Sequence, residues 1–176
     1  MNDIELKTIA RDGKARLNEV TLNNKQFQTP LFMPVATRGA LKSLPFNYLD
    51  DTDIILANTY HLYLRPGLEV IKEFGGLHNF IGWNKVILTD SGGFQGWSIP
   101  NKFNDDGIEF KNIYDGSKFF MDPTLSMDIQ QTLNSDIAMI LDSLIDINKE
   151  YDEQLNAIQT TKNWALEARE HHSNSN

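Results

Sequence analysis

Cysteine does not occur among the 176 residues. Disulfides and thiolate metal sites within this chain are thereby excluded. Basic runs are missing as well: 16 Lys and Arg stand against 24 Asp and Glu, a formal net charge of −8. Phosphate neutralisation supplies much of the affinity for nucleic acids, so this balance alone argues against such a partner unless the basic face lies outside these residues. No apolar run is long enough to span a bilayer. The first residues alternate charged and apolar types without an apolar signal core, so the cytoplasm is the expected compartment. Internal repeats, low-complexity tracts and linkers are missing too. No G-x-G-x-x-G follows the first apolar run, which removes the dinucleotide fingerprint of a Rossmann fold.

What is present reads as a globular chain, 40% hydrophobic and 23% charged, long enough for one domain with a sizeable core. Residues 1–30 form an opening β element, in which Ala15 to Leu22 and Phe27 to Thr29 flank Asn23-Asn24 as a hairpin turn. From residue 31 onwards short apolar runs recur: Leu31 to Val35, Ile54 to Ala57, Val86 to Leu88 and Ile137 to Leu141. Such runs suit strands buried on both faces of a parallel sheet. Helical stretches lie between some of them. Pro66-Gly67 opens one through Leu68, Val70, Ile71 and Phe74. Asp122-Pro123 starts another, with Asp as N-cap, Pro at the first helical position, and Leu125, Ile129 and Leu133 on one face. A last helix carries Tyr151, Leu155, Ile158, Ala165 and Ala168 as its stripe. A hairpin insertion pairs Ile108 and Phe110 with Phe119 and Met121 across an Asp115-Gly116 turn. Repeated βα units imply a parallel sheet. The expected fold is α/β: residues 31–176 as the N-terminal half of a (β/α)8 TIM-type barrel, truncated at the C-terminus, since a closed barrel needs eight strands.

The chemistry-bearing residues gather after two of the apolar runs. Asp90 follows Val86-Ile87-Leu88-Thr89 and opens Asp90-Ser91-Gly92-Gly93-Phe94-Gln95. In βα barrels polar residues just past a strand's C-terminal end face the active site, and paired glycines let the backbone approach a ligand. A tight turn capped by Asp90 is the competing structural reading. Asp142 ends the next core run, so two consecutive strands each deliver an aspartate to the same face. Carboxylates in different environments are a common way to combine acid, base and recognition roles. His61 reads as a structural loop histidine. His78, Phe80, Trp83 and Trp97 read as core or interface, and His171-His172 as a solvated helix end.

Thr89-Asp90-Ser91-Gly92-Gly93-Phe94-Gln95 resembles the signature of tRNA-guanine transglycosylases, and further matches keep the same order. They are Thr29-Pro30 through Met33-Pro34-Val35, Asn58-Thr59-Tyr60-His61-Leu62 with Arg65-Pro66-Gly67, Phe120-Met121-Asp122-Pro123, and Ser135-Asp136-Ile137 through Asp142. Several ordered motifs are far more specific than one. The resemblance implies an enzyme that exchanges guanine at the first anticodon position of tRNA for a 7-deazaguanine, through a covalent aspartyl-ribosyl intermediate. It implies Asp90 as proton donor and acceptor for the base. It implies Ser91, Gly92, Gly93 and Phe94 as the base pocket, with Phe94 stacking, and Asp142 as acceptor for guanine N1–H and N2–H. Homodimers are implied as well, with His78, Phe80 and Trp83 in the interface.

The chain departs from the family pattern in three places. The nucleophilic aspartate and a glycine-rich loop belong to the second half of the family's barrel and are expected beyond these residues. The family's zinc, held by three cysteines and a histidine, is likewise expected outside them. Bacterial members often carry cysteine two residues after the pocket aspartate, where Leu144 stands here. The 176-residue chain is therefore expected to be inactive alone. Two other readings compete: a barrel glycoside hydrolase using Asp90 and Asp142 as its carboxylate pair, and a non-catalytic truncated partner subunit.

Overall fold

The computed structural model describes residues 4–98 and 101–174. Its first element is a three-stranded antiparallel sheet of β1 (Ile4–Asp12), β2 (Ala15–Leu22) and β3 (Lys25–Thr29). The β2–β3 turn is the expected one: Asn23 and Asn24 both have positive φ, 48° and 66°, which suits the twist of a two-residue hairpin. Strand β1 is an addition to the expected pair, and its apolar residues Ile4 and Leu6 are exposed. The inner face of β2 and β3, formed by Val20, Leu22 and Phe27, packs on Ile54 and Val86. These two residues open β4 (Ile54–Ala57) and β5 (Val86–Thr89), so the small sheet covers the N-terminal ends of the parallel strands.

Between β4 and β5 lie three short helices, α1 (Thr59–Leu64), α2 (Leu68–Glu73) and α3 (Leu77–Ile81). After β5 come α4 (Gly93–Ser98) and the strands β6 (Asn101–Asn104), β7 (Gly107–Lys111) and β8 (Lys118–Met121). Then follow α5 (Pro123–Leu133), β9 (Ile137–Ala138) and α6 (Tyr151–Asn174). Strands β4, β5 and β9 are parallel neighbours in that order. Residues 34–37 run alongside β4: Val35 bridges Leu56 in parallel, Leu56 N–H donates to Pro34, and Asn58 N–H donates to Thr37. The architecture is mixed α/β, with four parallel segments side by side in chain order.

Several expectations are corrected by the packing. Leu31 to Val35 is not a ladder strand but a single bridge, and Phe32 is 83% exposed. The run Ile137 to Leu141 keeps only Ile137 and Ala138 in the ladder. Past Ala138 the Met139 N–H still reaches the Thr89 carbonyl at 3.1 Å, and Gln130 accepts from the same N–H at 2.9 Å and donates to the Met139 carbonyl at 2.8 Å. The hairpin insertion is three-stranded, because β6 pairs with β7 ahead of the expected β7–β8 pair. Ile108, Phe110 and Met121 face inward as the alternation required.

Helix α5 follows its signals closely. The Asp122 carboxylate accepts from Leu125 N–H at 2.7 Å, and Ile129 and Leu133 are fully buried. Helix α6 buries Ala168 of the expected stripe but otherwise turns a different face inward. Ala157 and Trp164 are buried with it, while Tyr151, Leu155 and Ile158 are exposed. The alanines allow close approach to α5, and the Trp164 indole N–H finds the Asp105 carbonyl at 2.8 Å. The end of α6 lies at the surface as expected, with His171 meeting Asp128 at 2.6 Å and the exposed His172 meeting Gln131 at 2.8 Å.

The expected aromatic surface patch is also corrected. Trp83 is buried against Phe46 in the core, Phe80 packs against the same cluster, and His78 bonds Asp136. Trp97, expected with them, has a side chain outside the described residues. No described helix is long and apolar enough to cross a membrane.

Candidate active site

Strand β5 ends on Thr89, and Asp90 is the first residue past it, with its N–H still bonded to the Ala57 carbonyl at 3.1 Å. The Asp90 carboxylate is held by β4's continuation. Asn58 Nδ2 donates to one oxygen at 2.5 Å, and Thr59 N–H and Gly92 N–H donate to the other at 2.9 and 3.2 Å. The Thr59 hydroxyl bonds the Asp90 carbonyl. Asn58 serves two elements at once, because its Oδ1 caps α1 by accepting from His61 N–H at 2.9 Å. Burial pushes the Asp90 carboxyl above the ordinary carboxylate value, against the three N–H donors, and the nearby charge of Asp142 pushes it the same way. A carboxyl in this balance can keep a proton at higher pH than a solvated one, which suits acid–base work.

Asp142 arrives from the other side. The chain leaves the sheet after Met139, buries Leu141, and presents the Asp142 carboxylate to the turn after β5. Ser91 Oγ lies 3.3 Å from Asp142 Oδ1 and accepts from Gly93 N–H at 3.1 Å. The approach is possible only because residue 93 lacks a side chain: a Cβ there would stand 2.5 Å from Asp142 Oδ1 and 3.1 Å from its carbonyl oxygen. Gly92 has φ +82°, a conformation that side chains disfavour, and faces Met121.

Asp90, Ser91, Gly92, Gly93, Phe94 and Asp142 line one cavity of about 390 Å³. Its apolar wall includes Met33, Leu56, Leu88 and Met139, and Leu144 borders it beside Asp142. All six residues singled out in the sequence therefore meet at one place, at the C-terminal ends of adjacent parallel strands. Phe94 is 58% exposed at the rim. His61 does not line this cavity, and it sits in the first turn of α1 rather than in a loop. Its ring packs edge-on to Tyr60, and burial, then the Arg38 charge, hold it below the usual imidazole pKa.

Sequence reasoning missed the residues that hold the site in shape. Gln130, fully buried on α5, accepts from the Thr89 hydroxyl at 2.8 Å and clamps Met139 on the next strand. Ser126, one turn earlier, donates to the Ser91 carbonyl at 2.9 Å. Thr161 of α6 accepts from Ser143 N–H at 3.0 Å, beside Asp142. Polar residues on the buried face of α5 were the available signal, because buried polar groups need partners. The side chain of Gln95, next to the rim, has a buried Oε1 with no donor among the described residues.

The family model described as queuine tRNA-ribosyltransferase matches residues 12–176. The chain belongs to this family. It is 45% identical over 173 residues to a queuine tRNA-ribosyltransferase of Acinetobacter baumannii (strain SDF), covering 96% of this chain and 46% of that protein. It is 45% identical to the enzyme of that name from Acinetobacter baylyi, with 96% and 45% covered. It is 48% identical over 159 residues to the one from Neisseria meningitidis serogroup C, with 88% and 43% covered. The chain thus spans less than half the length of these curated relatives.

Proposed function

We propose that this chain forms the base-recognition half of a tRNA-guanine transglycosylase acting in queuosine biosynthesis. In that reading the parallel segments are the first half of a (β/α)8 barrel, and the enzyme works as a homodimer on the anticodon loop of tRNA. The observation that carries it is the meeting of Asp90 and Asp142 in one cavity with the Ser91–Phe94 turn.

The exchange divides between the two carboxylates. The C1′–N9 bond of the guanosine breaks as a carboxylate oxygen bonds C1′, and the electron pair leaves with the base. Asp90 supplies the proton that the departing guanine needs, then takes one from the entering 7-deazaguanine as its nitrogen attacks C1′ and the carboxylate–C1′ bond breaks, its electron pair returning to the carboxylate. Asp142 accepts from N1–H and N2–H of the base, a match for the two oxygens of one carboxylate. Ser91 and the Gly92–Gly93 backbone shape the pocket, and Phe94 offers a ring at the rim for stacking.

The family resemblance assigns the nucleophilic aspartate to the second half of the barrel, so the 176-residue chain does not exchange guanine by itself. The zinc that the resemblance implies takes three cysteines and a histidine. This chain has no cysteine, so it does not supply that zinc's thiolate ligands.

Guanine titrations and single-turnover exchange test the division of labour, the latter in a polypeptide that includes the nucleophile. Asp142→Ala leaves two base N–H groups without acceptors, each costing about 1–3 kcal/mol, so guanine affinity falls by tenfold or more. Asp90→Asn keeps base and tRNA binding and lowers turnover by ~10²–10⁴. An Asp90→Asn variant that loses tRNA binding but keeps turnover at saturation contradicts the assignment. Labelled guanine entering tRNA with the 176-residue chain alone contradicts its inactivity.

A further inference from the structure

A second constellation sits at the same end of the parallel sheet as the acidic cavity, and it is basic. Arg38 follows directly on Thr37, whose carbonyl accepts from Asn58 N–H at 3.3 Å. It therefore stands two segments across from Asp90, about 10 Å at the usual strand spacing. Arg65 ends α1, the helix that springs from the same end of β4. Both arginines converge on Tyr114, in the turn between β7 and β8: Arg38 Nη1 reaches the Tyr114 hydroxyl at 3.4 Å, and the Arg65 guanidinium lies 3.7 Å above the ring. That turn is anchored to α1. The Tyr60 hydroxyl donates to the Lys111 carbonyl at 3.3 Å, and the Tyr60 ring packs on Phe110 and Phe119.

Both arginines are exposed, and neither forms an ion pair among the described residues. The acidic group that feels Arg65 is Asp115, which forms no ion pair with it and whose Oδ1 takes the N–H and hydroxyl of Ser117. In a chain with 24 acidic residues against 16 basic ones, two arginines braced on one tyrosine without carboxylate partners are an unusual use of charge. A planar guanidinium fork matches phosphate oxygens, and two of them on a fixed ring form a preset anion clamp.

We propose that Arg38 and Arg65 grip a backbone phosphate of the RNA, next to the nucleotide whose base enters the cavity, with Tyr114 as their brace. The inference rests on the RNA substrate of the reading above. It makes this clamp the electropositive contact that the net charge of the chain conceals.

The test uses the purified 176-residue chain and a labelled RNA hairpin with guanosine at the first anticodon position, titrated over a series of salt concentrations. Each phosphate contact to a single strand contributes about 0.7 to the slope of log affinity against log salt. Arg38→Gln with Arg65→Gln is expected to lower that slope by about 0.7, the share of the one phosphate they grip. It should also weaken low-salt binding on the order of tenfold per guanidinium. Lysine at both positions restores the slope, which excludes misfolding as the cause, and Lys7→Gln on the exposed β1 changes nothing. Unchanged slope and affinity in the double glutamine variant, with the parent chain binding RNA, overturns the clamp and leaves the transglycosylase reading standing. A parent chain that shows no salt-dependent RNA binding overturns the clamp and removes RNA contact from this half of the fold.

Discussion

Replacing Asp136 by asparagine isolates the contact that fastens the small N-terminal sheet to the parallel strands. Asp136 immediately precedes β9, and its side chain is 8% exposed. Lys25 of β3 donates to its two oxygens at 2.6 and 2.8 Å, His78 of α3 lies at 3.0 Å, and Ile87 N–H donates at 2.8 Å. Burial by itself would raise the carboxyl, but the bonds from His78, Lys25 and Ile87 overcome it and hold the pKa at about 2, against 3.8 for a free aspartate. That difference corresponds to about 2–2.5 kcal/mol at neutral pH. Lys25 is 27% exposed, so solvent screening makes about 2 kcal/mol the working figure. For a chain of this size the variant should melt roughly 4–8 °C lower.

The pH dependence has a definite sign. A depressed carboxyl contributes its stability above the unfolded value of 3.8 and loses it as pH falls towards about 2. The gap between parent and variant, read by urea denaturation with circular dichroism, should be full at neutral pH and close across that window. Guanine affinity at neutral pH should not change, because the cluster lies at the opposite end of the strands from the cavity. A variant as stable as the parent at neutral pH, or a gap that ignores acidification, refutes the reasoning.

Two further substitutions probe the site itself. Gly93→Ala places a Cβ about 2.5 Å from Asp142 Oδ1, so the carboxylate must move. The backbone tolerates alanine there and overpacking costs about 1–3 kcal/mol, so the chain should fold while guanine affinity drops by tenfold or more in calorimetric titration. Affinity within twofold of the parent would show that Asp142 does not need its present place. Gln130→Met removes the donor to the Met139 carbonyl, while Met139 N–H keeps the Thr89 carbonyl and the Thr89 hydroxyl keeps Ser135, a loss of roughly 1–3 kcal/mol. Amide exchange at Met139 should accelerate with it, and unchanged protection there would mean that the clamp is incidental.

Features that depend on neighbours in the chain are legible in the amino-acid order by itself. Asn23-Asn24 turns a hairpin because both residues tolerate positive φ, and Asp122-Pro123 starts a helix because a carboxylate can reach the N–H three residues on. The apolar runs at Ile54 and Val86 form parallel strands, as their composition requires. The position of Asp90 just past one of them, with two glycines following, is enough to mark the candidate site.

Whatever depends on what an element packs against is decided by tertiary structure. Helix α6 offers an apolar stripe through Leu155 and Ile158, yet it buries Ala157, Trp164 and Ala168, because its fit against α5 and the need of the Trp164 indole for an acceptor outweigh hydrophobicity counted along the helix. The ladder stops at Ala138 because β5 itself ends at Thr89, whose carbonyl takes the Met139 N–H, and a buried glutamine takes the Met139 carbonyl. Asn58, Gln130 and the Arg38–Tyr114–Arg65 group lie far apart in sequence from the residues they hold. Their partners are set by long-range pairing, which local pattern does not encode.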